Sequence, residues 1–118
     1  MQLREYQEKS KRTMNMDLEK REALSNMIFG ITGETGEVVD LFKKHLFQGH
    51  DLDIEHLKEE LGDVMFYMVN LCNLIGVQME DIIEGNHNKL LKRYPDGFSE
   101  EASIKREDAK EEENIHDR

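Results

Sequence analysis

The sequence predicts an all-α protein: a bundle of about four helices with an acidic C-terminal tail, assembled as an oligomer. Apolar residues recur at helical spacing over long stretches. A single proline interrupts the 118 residues. Charged residues, at 36%, balance hydrophobic ones, at 37%, as expected of amphipathic helices with one solvated face. That length suffices for one domain with a modest core. The long amphipathic faces carry more apolar surface than one small monomer readily covers, so a homodimer or homotetramer is expected.

Residues from Leu3 to about Met14 read as a first helix, with Leu3, Tyr6, Gln7, Ser10 and Met14 down one half-polar side. A second, long helix runs from about Lys20 to Phe47. Gly49 suits its C-terminal cap, and Asp51 or Asp53 suits the N-cap of the next helix. The third helix continues to Ile75, where Gly76 is placed to stop it. After Val77-Gln78 a fourth helix covers about Met79 to Arg93, with Glu80 and Asp81 in the first turn, where acids favour the helix dipole. Tyr94-Pro95-Asp96-Gly97-Phe98 is a turn. Residues 99–118 hold eight acids, four bases and few apolar side chains, so they read as a tail, frayed or disordered, outside a domain of residues 1–98.

Two near-copies of one phrase organise the chain: Glu34-Thr-Gly-Glu37-Val38 and Glu60-Leu-Gly-Asp63-Val64. Residues i and i+3 share a helix face, so each phrase projects a carboxylate pair from one side of one helix. At about 100° per residue, Glu34 and Glu37 border the apolar stripe of Leu24, Ile31, Val38 and Phe42, and Glu60 and Asp63 border that of Leu57, Val64, Met68 and Leu71. Acids on two apolar borders are aimed at an interface. Four carboxylates around one point repel one another, and a divalent cation would relieve them. All-oxygen ligands suit Mg²⁺, with Mn²⁺ the alternative. Gly30, Gly33, Gly36 and Gly62 line the same region, each costing about 1 kcal/mol in a helix, which close helix approach or room for a ligand would explain.

On the fourth helix Asn86, Lys89 and Arg93 fall at i, i+3 and i+7 in one arc, a set of donors suited to a triphosphate. A cation-friendly helix C-terminus explains the two bases equally well. Lys44 lies two turns after Glu37 and would reach a phosphate or an acid at the site; an i,i+4 pair with Asp40 explains it about as well.

The ExxE and ExxD phrases at this spacing, with the Asn86-x-x-Lys89-Leu-x-x-Arg93-Tyr94 string, resemble the signature of the MazG-like all-α nucleoside triphosphate pyrophosphohydrolases, from about Leu3 to Phe98. The resemblance implies hydrolysis of a nucleoside or deoxynucleoside triphosphate to monophosphate and pyrophosphate, as nucleotide-pool house-cleaning or control. It implies Glu34, Glu37, Glu60 and Asp63 as metal ligands, with Glu37 the candidate to orient or deprotonate the attacking water. It also implies Asn86, Lys89 and Arg93 as phosphate and metal-site contacts, and gives the first helix, through Tyr6 and Gln7, a share in the base and sugar pocket.

The formal charge of −10 disfavours non-specific binding to nucleic acid or anionic membranes. Cys72 is the only cysteine, which excludes an internal disulfide and reads as a small core residue. No signal-peptide core and no apolar run near the roughly 20 residues that span a bilayer is seen, so a cytoplasmic protein is expected. Two other classes compete. A di-iron carboxylate bundle needs Glu-x-x-His on two helices. Glu84-x-x-His87 supplies one, and only Asp53-x-x-His56 would stand in for the other. A non-catalytic helical interaction module would leave all these acids solvated.

Overall fold

The computed structural model describes residues 1–110 and divides them into two compact units, residues 1–79 and the described residues from 80 onward. The first unit holds α1 (Leu3–Ser10), a 3-10 turn (Lys11–Thr13), α2 (Lys20–Phe47) and α3 (Ile54–Ile75). A fourth helix, α4 (Met79–Arg93), starts at its last residue and belongs otherwise to the second unit, with α5 (Glu100–Lys105). No strand occurs among the described residues.

The helix ends follow local chemistry. Gly49, at φ +72°, takes the left-handed conformation that lets the His50 amide reach back to the Lys44 carbonyl at 3.2 Å. Asp53 caps α3 by accepting from the His56 amide at 3.1 Å. Gly76, at φ +77°, closes α3, and the Val77 amide returns to the Cys72 carbonyl.

Helices α2 and α3 pack antiparallel, so positions further along α2 meet earlier ones on α3: Gly30 lies under the Tyr67 ring, whereas Glu34 faces Glu60 and Asp63. A Cβ on Gly30 would overlap that ring, so close helix approach does explain this glycine. Gly33, Gly36 and Gly62 have open space where a Cβ would stand, and packing within the chain gives no reason for them.

Helix α1 crosses the C-terminal half of α3 over a core of Val69, Cys72 and Met79, joined by Leu3, Tyr6 and Met68. The half-polar stripe of α1 finds its partners there. Gln7 and Ser10 are buried beside Asn70 and Asn73, with Ser10 Oγ donating to the Gln7 carbonyl and Asn73 Nδ2 donating to Asn70 Oδ1.

In the second unit α4 ends at a turn in which the Gly97 amide donates to the Tyr94 carbonyl, with Gly97 at φ +88°. Residues 99–110 are more ordered than their composition suggests. Ser99 caps α5 by accepting from the Ala102 amide, and the Asp108 carboxylate is buried. The last eight residues of the expected tail, 111–118, lie outside the described residues.

Candidate metal centre

Three of the four signature acids converge. One carboxylate oxygen from each of Glu34 on α2 and Glu60 and Asp63 on α3 lies within 4.8 Å of the other two, the sole such cluster of acids, histidines or cysteines among the described residues. The Glu60 side chain is 14% exposed. Its Oε1 accepts from His56 Nε2 at 3.1 Å, whereas Oε2 is buried with no hydrogen-bond partner. An anionic oxygen without a donor is unfavourable away from water. Two things relieve it: a shared proton, or a cation.

Crowding among the three acids favours a retained proton at Glu34. Its pKa is pushed above the ordinary carboxylate range, foremost by a hydrogen bond to Glu60, then by burial and by the charges of Asp63, Glu60 and Glu37. For the second, three mutually close hard oxygens and one orphaned oxygen match what Mg²⁺ or Mn²⁺ takes. The residues present therefore fit a divalent cation.

Beside these acids opens a cleft of about 390 Å³ lined by Thr13, Glu34, Asp63, Phe66 and Tyr67, within the size range of small-molecule sites. Phe66 and Tyr67 meet edge-on at 5.3 Å between ring centroids. The Tyr6 phenol is pushed upward by burial and then by the Asp63 charge, so it stays a neutral donor.

The remaining sequence candidates divide. Glu37 is exposed and stands outside the three-carboxylate cluster, near enough only for its charge to act on Glu34. Gln7 faces inward. Its amide nitrogen donates to Asn73 Oδ1 and the Val77 carbonyl, and its oxygen accepts from the Met79 amide at 2.8 Å. With 2% exposure it has no surface for a nucleotide, and its assignment to substrate binding gives way to a structural role. Lys44 pairs with Asp40 at 3.0 Å on the surface, which holds the Asp40 carboxyl below its usual range.

On α4, Asn86 is exposed and Lys89 half-buried. Arg93 is gripped as a fork by Asp108, Nε to Oδ1 at 2.9 Å and Nη2 to Oδ2 at 3.0 Å. Asp108 was counted in the sequence as one solvated tail acid among eight; nothing in the local pattern marks a partner 15 residues away. His56, weighed only for iron, carried a readable signal in its i,i+4 spacing to Glu60. Glu84 and His87 are exposed and belong to no cluster.

The profile of the MazG nucleotide pyrophosphohydrolase domain matches residues 22–98 of this chain. The chain is also similar to the Gene 37 protein of Mycobacterium phage L5, at 34% identity over 85 residues, covering 69% of this chain and 75% of the phage protein. No solved structure matches it.

Proposed function

Because the chain belongs to the MazG nucleotide pyrophosphohydrolase family, we propose that it hydrolyses a nucleoside or deoxynucleoside triphosphate to the monophosphate and pyrophosphate, with Mg²⁺ or Mn²⁺ held by Glu34, Glu60 and Asp63. The observation that carries this reading is the meeting of those three carboxylates, with a buried Glu60 oxygen left without a donor. When bound, the cation supplies charge neutralisation on phosphoryl oxygens and on the leaving pyrophosphate.

The chain's own residues do the rest. Glu37 is exposed one helical turn beyond Glu34, and is the proposed base that orients a water and accepts its proton as the oxygen attacks the α-phosphorus. The bond from that phosphorus to the bridging oxygen breaks, and pyrophosphate leaves with the electron pair. Phe66 and Tyr67 line the cleft beside the acids and offer aromatic surface to a bound nucleotide. Asn86 and Lys89 are proposed phosphate contacts; Arg93 would join them through whatever donor capacity its pair with Asp108 leaves. A homodimer or homotetramer acting in the cytoplasm on the nucleotide pool completes the reading. No helix among the described residues is long and apolar enough to cross a membrane.

A panel of normal and modified nucleoside triphosphates, assayed for pyrophosphate release with Mg²⁺ and with Mn²⁺, tests the proposal. Release from at least one substrate, dependent on the cation, is expected. An inert panel together with no cation-dependent rise in melting temperature would favour the non-catalytic module.

A further inference from the structure

His56 sits in the first turn of α3, its backbone fixed by the Asp53 cap. One turn later its imidazole Nε2 meets Glu60 Oε1 at 3.1 Å. The ring nitrogens do not belong to the cluster formed by Glu34, Glu60 and Asp63, so the histidine stands behind the carboxylate rather than among the candidate ligands. An ionised carboxylate only accepts hydrogen bonds, so Nε2 carries the hydrogen, and does so whether the ring is neutral or charged. The Glu60 carboxylate rotates about one bond. Fixing one oxygen fixes the other, and the other is the buried, partnerless Oε2.

We propose that His56 is a positioning residue for the metal centre: it holds Glu60 Oε1 so that Oε2 is presented to the cation rather than turned toward solvent. This rests on the reading of the three acids as a metal site. Outer partners of this kind change metal affinity by about 10–100-fold when removed. An ordinary exposed i,i+4 pair would leave that affinity alone, because it adds only a little helix stability. Charge also separates the possibilities. If the imidazole carries any positive charge, its removal strengthens cation binding by Coulomb's law, the opposite of what lost positioning does.

The test is Mn²⁺ affinity of the substrate-free full-length protein, read from the electron paramagnetic resonance signal of free Mn²⁺. Melting without metal serves as a check that the fold persists. His56→Ala is expected to weaken Mn²⁺ binding by about tenfold or more, and His56→Gln, whose neutral amide reaches the same oxygen, to recover most of it. Unchanged or tighter binding in His56→Ala, or equal weakening in both variants, overturns the proposal. Glu60→Gln tells the two claims apart. If it abolishes Mn²⁺ binding while His56→Ala does not weaken it, only the positioning role falls; if it leaves binding intact, the metal-site reading falls as well.

Discussion

Glu60 has one oxygen held by His56 and the other buried without a donor, while Glu34 beside it holds its proton more tightly than an ordinary glutamate. Removing the charge at Glu60 should therefore remove a ligand and a repulsion together. Glu60→Gln is expected to lower turnover by more than about tenfold, as loss of several kcal/mol of transition-state stabilisation requires, while metal-free melting stays level or rises. Activity at saturating Mg²⁺ and a melt without metal check the two halves. A pH effect follows from Glu34. The folded chain binds this proton more tightly than the unfolded chain, so the contribution is fully present at acid pH and lost as pH rises through the raised value. Urea midpoints of the metal-free protein should carry that falling component toward neutral pH, and Glu34→Gln should abolish it. The i,i+3 spacing made Glu34, Glu60 and Asp63 legible in the sequence. It did not separate Glu37 from them, because which edge of α2 meets α3 is a matter of contacts between residues far apart in the chain, such as Tyr67 against Gly30.

Between helices, that seat gives a paired prediction. Gly30→Ala places a methyl group against the Tyr67 ring and is expected to destabilise by about 1–3 kcal/mol, the usual range for overpacking. Gly33→Ala meets open space and should stabilise by up to about 1 kcal/mol through helix propensity. Denaturant unfolding of the two variants checks both signs. Within the described part of the tail, one contact is invisible to composition: Asp108 is buried against Arg93, which holds the Asp108 carboxyl far below the usual range. This pair adds stability at neutral pH that is lost progressively as pH falls from the ordinary carboxylate range through that depressed value. Asp108→Ala should speed hydrogen exchange over residues 99–110 and leave Mn²⁺ affinity unchanged, since all three clustered acids belong to the first unit. The helix limits themselves were legible, because Gly49, Asp53, Gly76 and the Pro95-Asp96-Gly97 turn act through local backbone chemistry. Gln7 was not, since its partners lie 66 or more residues away.

At the scale of the whole molecule, a few buried apolar side chains, Val69 and Met27 among them, contrast with exposed Phe29, Leu46, Phe47 and Phe98, each more than 60% accessible. Covering such side chains is what the proposed self-association would do, so light scattering is expected to report a mass at least twice the 13.9 kDa of one chain; a monomer would contradict this. The central claim is metal-dependent attack of water on the α-phosphorus, and turnover in ¹⁸O-labelled water tests it most directly. The account predicts that, with Mg²⁺ or Mn²⁺, the label enters the nucleoside monophosphate and none enters pyrophosphate, with incorporation by Glu60→Gln slowed by more than about tenfold. Label in pyrophosphate, or incorporation that persists when the cation is chelated, would contradict it.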